Sequence, residues 1–294
     1  MKYRTLTAAS EDFASAAPNA VRDAAREVLT AIDGINLLGP KDGVVWRGQA
    51  VEDWRLGSKA GRAGLNATEI RSLEVEMIEQ ARRIGADNAQ HMGDWEILAR
   101  LRHHGALTRL IDCSTDPFVA LWFLCDDRAK VDEESTARDH DGLLLALTRT
   151  QFTQIDRPYE RNYRRAFDRA PAALLYSTPP IDPRIAAQRG VFVLHTEPHD
   201  AVGAPESELG PLAMPTKIWA KEHRRMLHDL CGASDLAGRR GRLTFRFPTT
   251  MGIVVPAIVK PLLLEMLERN FGFNRSTMFP DFSGMGEYYG ARRA

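Results

Sequence analysis

Between Leu98 and Cys125 the chain reads LARLRHHGALTRLIDCSTDPFVALWFLC, and no other stretch limits the possible folds as much. Its last part, PFVALWFLC, carries no charge and has to be buried. The part before it sets His103, His104, Arg109, Asp112, Ser114 and Thr115 among apolar residues. A core strand needs none of these polar groups, so they form either a buried structural network or a site. Asp116 followed by Pro117 is the favoured start of a helix, as cap and first helical residue. Phe118, Leu121, Trp122 and Cys125 then predict a stripe facing the core.

The same signals organise the rest. APNAVRDAAREVLTAIDG predicts an amphipathic helix with Gly34 beyond its end. DGVVWRGQ predicts a strand entered through Asp42-Gly43, and residues 55–66 a loop. A helix capped by Thr68 and stopped by Gly85 follows, then a second, GDWEILARLRHHG, closed by its glycine. TRLID, LLLALT, GVFVLHT and RLTFRF read as strands. YERNYRRAFDRA, AKEHRRMLHDLCG and VKPLLLEMLERNFG read as helices, and the charged segment 127–142 as a mobile loop. Strands and helices mix without a βαβ rhythm, which predicts one α+β domain over residues 43–294, with residues 1–42 as a helical segment packed on it.

Composition excludes several functions. Lys+Arg and Asp+Glu are 39 each, so no global field draws the chain to nucleic acid or to an anionic membrane. Cys113, Cys125 and Cys231 lie far apart with no C-x-x-C pair, and neither a zinc site nor a disulfide framework is expected. No uncharged run approaches ~20 residues, so no membrane span is expected, and a reducing cytoplasm is the expected location.

Four blocks, VVWRGQ (44–49), HHGALTRLIDCSTDPFVALWF (103–123), RIAAQRGVF (184–192) and TMFPDFSGM (277–285), resemble the FRG domain family in order, from Val44 to the C-terminus. Arg102 and Cys113 depart from it, standing where the family usually has Gln and Trp. The resemblance implies a setting in bacterial conflict, phage defence or a toxin–antitoxin locus, with an antitoxin protein as a possible partner. A strand ending in Arg-Gly, followed by one ending in Ser-Thr, also resembles the ADP-ribosyltransferase fold, whose split sheet binds NAD. That likeness implies an enzyme that consumes NAD and modifies a macromolecule, or hydrolyses NAD with water as acceptor.

By this resemblance Arg47 grips NAD, Gly48 lets the backbone approach it, and Gln49 lines the same site. Ser114 and Thr115 shape the nicotinamide pocket with His103, while Thr108, Arg109 and Asp112 stand on the same wall. The physics fits: a guanidinium is the best planar partner for a pyrophosphate. Each role has a plainer alternative. Arg47 can pair with an acid at a strand end, and His103 can serve the last carbonyls of a helix. Arg109 and Asp112 can form a buried pair, and Ser114 and Thr115 can cap the next helix. The later strand offers Gln188 where an ADP-ribosyltransferase has Glu, and Gln188 supplies hydrogen bonds but no charge. Glu222, Asp281 and Glu287 are the candidate carboxylates, Asp281 first, although FPDF reads equally well as a turn. A non-catalytic module binding a nucleotide or nucleic acid through RNYRR, HRR and GRRGR is the rival reading.

Overall fold

The computed structural model describes residues 18–126, 135–155, 163, 173–179, 182–195, 216–219, 250–282 and 284–286. In chain order the elements are α1 (Pro18–Leu38), β1 (Val44–Gln49), α2 (Lys59–Arg62), α3 (Ala67–Ile84), α4 (Asp94–His103), β2 (Ile111–Ser114), α5 (Pro117–Cys125) and β3 (Gly142–Thr148). They continue with β4 (Thr153–Gln154), β5 (Ala173–Tyr176), α6 (Pro183–Ala187), β6 (Gly190–His195), β7 (Thr216–Trp219), β8 (Thr250–Val255), α7 (Lys260–Phe271) and α8 (Arg275–Met278). The protein is α+β. Its elements fall into two compact units, each assembled from three separate segments. One takes residues 1–54, 117–148 and 215–273; the other takes 55–116, 149–214 and 274–294.

The first unit carries strands in the order β7-β8-β3-β1. β1 and β3 are antiparallel with Arg47 opposite Leu145, β3 and β8 are antiparallel, and β7 runs parallel to β8. β3 and β8 are buried along their whole length, which is why they read as continuous apolar runs. α5 lies across β1 and β3 and also meets α7. It is therefore buried on almost every side, with Val119, Ala120 and Leu124 enclosed as well as the expected Leu121, Trp122 and Cys125. α1 continues past Gly34 because Ile35 extends the buried row of Val28 and Ile32.

The second unit carries the order β4-β5-β6-β2, antiparallel except for the parallel β4–β5 pair. Its core joins Trp95, Leu98, Leu110, Tyr163, Tyr176 and Phe192. α3 starts from Asn66, not Thr68: Asn66 accepts from the amides of Thr68 and Glu69 while Glu69 reaches back to the Asn66 amide. Gly85 ends it in the left-handed conformation at φ 66°. Within 55–66, read as a loop, Ser58 caps the one-turn α2. The helices expected at 159–170 (Tyr163 apart) and 220–232, the strand at 242–247 and residues 127–134 of the charged loop lie outside the described residues.

Candidate functional site

In the first unit the site builds from β1. Side chains alternate along a strand, so Trp46 and Gly48 share one face and Val45, Arg47 and Gln49 the other. A Cβ on Gly48 would lie 1.9 Å from the Ala120 carbonyl oxygen, which identifies the Gly48 face as the one pressed on α5. Gly48 is therefore a packing glycine that lets strand meet helix; the expectation that it admits a ligand is corrected. Arg47 and Gln49 point away from α5. Arg47 is half-buried. Gln49 is only 4% exposed, and its Nε2 donates to the Trp54 carbonyl at 2.6 Å. That bond fixes which end of the amide is which, and the other end, Oε1, is buried with no donor among the described residues.

In the second unit the polar block after α4 resolves into three arrangements. Arg109, 1% exposed, belongs to the core: its backbone N–H and its Nε each donate to the fully buried Glu74 at 2.7 Å, and the Tyr163 hydroxyl donates to the same carboxylate. Its guanidinium also lies 5.6 Å from the Tyr163 ring centre. Burial, then the Glu74 charge, pushes the Tyr163 hydroxyl far up, so it stays a donor. Arg109 is thus an ion-pair partner of Glu74, and its expected place on a ligand wall is corrected. Thr108 is fully buried beside it, with its hydroxyl accepting from the Leu110 amide. Asp112 pairs with Arg102.

The second arrangement ties β2 to the exit of α6. Ser114, 4% exposed, donates to the Gln188 carbonyl at 2.7 Å and accepts from the Asp116 amide at 3.0 Å. Its hydroxyl has both roles filled, so Ser114 is a structural residue and not a pocket wall. Thr115 is exposed, with its amide on the Arg189 carbonyl, and Arg189 pairs with Asp116 at 3.2 Å. Gln188 is buried, and its side-chain amide donates to the Met278 carbonyl at 2.8 Å.

The third arrangement surrounds His103 at the end of α4. Its ring meets Phe192 edge-on at 5.5 Å, and Nε2 is buried with no partner among the described residues. Burial holds the imidazole below its ordinary value of 6.5; Asp112 and Asp182 push it up, while Arg102 and Arg184 add to the lowering. Arg184 donates to the His103 carbonyl at 3.0 Å and grips Asp281 through two nitrogens. Asp281 is therefore a paired carboxylate and not a free catalytic one. Arg184 itself, like Glu74, is not among the candidates read from the sequence. Its signal is the i, i+4 spacing of Arg184 and Gln188 on one short helix.

The structure thus brings His103, Ser114, Gln188 and Asp281 into one unit, and places Arg47, Gly48 and Gln49 in the other. Cys113 and Cys125 are buried, and burial pushes the Cys125 thiol up to about 12. Among the described residues no group of three His, Cys, Asp or Glu could hold a metal, and no helix is long and apolar enough to cross a membrane. Glu222, Glu287, Cys231 and the basic runs, Tyr163 apart, lie outside the described residues. Residues 42–133 match the family model of the FRG domain. No curated protein and no solved structure matches the chain.

Proposed function

We propose that this FRG-domain protein consumes NAD in the manner of an ADP-ribosyltransferase, as a toxin or phage-defence effector acting on a macromolecule. The observation that carries the reading is the buried Gln49 Oε1, without a donor among the described residues, on the same strand face as Arg47. A buried acceptor without a donor costs about 1–3 kcal/mol, which a ligand donor relieves. Two residues along a strand set Arg47 and Gln49 roughly 7 Å apart. A ligand matching this face carries an anion at one point and an N–H or O–H donor a short way along. A dinucleotide has both: a pyrophosphate for the guanidinium, and ribose hydroxyls or the carboxamide for the amide oxygen.

In the reaction the bond from ribose to nicotinamide breaks through an oxocarbenium-like state and nicotinamide leaves with the bonding pair. The acceptor's oxygen or nitrogen, or water, then bonds to the ribose carbon and gives up a proton. That proton passes to solvent.

The test is nicotinamide release from NAD by the purified protein, followed chromatographically beside Arg47→Ala and Gln49→Leu variants shown to be folded. Loss of one charged or buried hydrogen bond lowers turnover about ten- to a hundredfold. Expression should inhibit growth of a bacterial host, and the Arg47→Ala variant should not. Nucleotide binding without nicotinamide release, or binding of nucleic acid alone, overturns the enzymatic reading in favour of a binding module.

A further inference from the structure

We infer that Trp54 is a stacking platform beside Gln49: its indole takes a flat heteroaromatic ring whose edge N–H meets Gln49 Oε1. Every residue that carries the inference belongs to the first unit. In that unit Trp46 and Trp122 are 1% and 3% exposed, whereas Trp54 is 41% exposed. A single exposed ring needs no ligand. What sets this one apart is the partner of its backbone. The Trp54 carbonyl accepts the Gln49 side-chain amide at 2.6 Å, which holds that amide group against the Trp54 main chain. The exposed indole therefore stands on the residue that fixes Gln49, whose Oε1 has no donor among the described residues. That oxygen accepts and cannot donate, so it selects a ring with N–H at its edge. The carboxamide of nicotinamide and the amino group of adenine both fit.

The turn that carries Trp54 is firmly held. The Trp54 amide donates to the Val51 carbonyl at 3.3 Å and closes it. The Glu52 amide donates to the Asp141 carbonyl at 2.7 Å, and Asp141 Oδ1 accepts from the Ala257 amide at 2.7 Å. Lys260, only 2% exposed, donates through Nζ to the carbonyls of Ala50 at 2.6 Å and Ala137 at 2.8 Å. A buried ammonium needs such partners, and one of these two directly follows Gln49. Ala50, Val51 and Ala137 also pack together as a small apolar cluster. An indole on a fixed backbone has two torsions left to lose, so it offers a large flat face at little entropic cost.

The inference rests on the proposed function in taking the face of Arg47 and Gln49 as the one that meets a nucleotide. The experiment is calorimetric binding of NAD, nicotinamide mononucleotide and ADP-ribose to the full-length protein, beside an assay of nicotinamide release. Trp54→Ala, Trp54→Leu and Trp54→Phe are compared with the wild type, each checked by its melting temperature. Stacking on an aromatic side chain contributes roughly five- to a hundredfold in affinity. Trp54→Ala and Trp54→Leu should weaken NAD binding by that factor, and Trp54→Phe should keep most of it. Melting temperatures should move little, since the ring is exposed and the backbone is what holds Gln49. Of the two smaller ligands, the one weakened by the same factor carries the stacked ring: the mononucleotide identifies nicotinamide, ADP-ribose identifies adenine. NAD bound equally by wild type and Trp54→Ala overturns the platform, as does Trp54→Leu binding as tightly as Trp54→Phe. Weakened NAD binding in Trp54→Ala, in a protein that never releases nicotinamide, sinks the enzymatic reading and leaves the platform standing. A folded protein that binds none of these ligands overturns both. If Trp54→Ala does not fold, Trp54→Leu against Trp54→Phe carries the test.

Discussion

At the end of a helix a histidine ordinarily serves the last carbonyls, yet His103 has its own carbonyl served by Arg184 and keeps a buried ring nitrogen with no partner among the described residues. A consequence in pH follows. Burial holds its folded value below 6.5, so the unfolded chain takes up the proton at higher pH than the folded one. Stability is unaffected above about pH 6.5, falls as pH drops from there to the folded value, and levels off below it. Urea unfolding between about pH 7.5 and 5 should show a loss that His103→Gln lacks; parallel curves would remove His103 from the account. Ser114 makes the contrast. Its hydroxyl is buried and doubly used, so Ser114→Ala should lower stability by about 1–3 kcal/mol, measured by denaturant midpoint, and leave nucleotide binding unchanged. The sequence shows that something polar is gathered between His103 and Thr115. It cannot show which hydroxyl is satisfied, because Gln188 lies 74 positions away.

Within single elements more can be read, and the errors have local causes. Along α3, Ile70, Glu74, Ile78 and Ala81 fall on one buried face, so an acid interrupts an apolar stripe in plain view. Its partner Arg109 was visible as a polar residue beside apolar ones; what was hidden is that the two meet, 35 residues apart. Removing one member of such a pair leaves a buried charge alone. Glu74→Leu should therefore cost about 3–5 kcal/mol in chemical denaturation, and adding Arg109→Met should recover most of it. A double variant as unstable as the single would show that the pair contributes more than mutual neutralisation. β1 follows the same logic at a glycine. Gly48→Ala drives a methyl into the Ala120 carbonyl, so strand and helix must part, at a cost at the upper end of the about 1–3 kcal/mol of overpacking. The strand itself was legible from DGVVWRGQ. β5 and β8 fall outside the assigned elements, because runs as short as ALLY and TMGIVV do not distinguish a strand from buried helix.

For the molecule as a whole, the decisive fact is that each unit is assembled from three separated segments. Mixed α+β character was readable from the order of elements, but strand partners were not, since pairing is set by long-range packing that no local pattern encodes. The consequence falls on the region that matches the FRG domain, residues 42–133. It contains β1 and β2 but neither of their described antiparallel partners: β1 pairs with β3 at 142–148, and β2 with β6 at 190–195. It holds Glu74 and Arg109 without Tyr163, and His103 without Arg184 or Asp281. α5 loses both β3 and α7, against which its all-round apolar surface is buried. Isolated strands have no independent stability, and helices as short as α4 and α5 are marginal in water. Expressed alone, residues 42–133 should therefore show poor amide dispersion and no cooperative thermal transition, while the full chain unfolds cooperatively. A sharp transition in that fragment would mean that β1 and β2 find stable partners within it, and would overturn the view that the matched region needs the rest of the chain to become a fold.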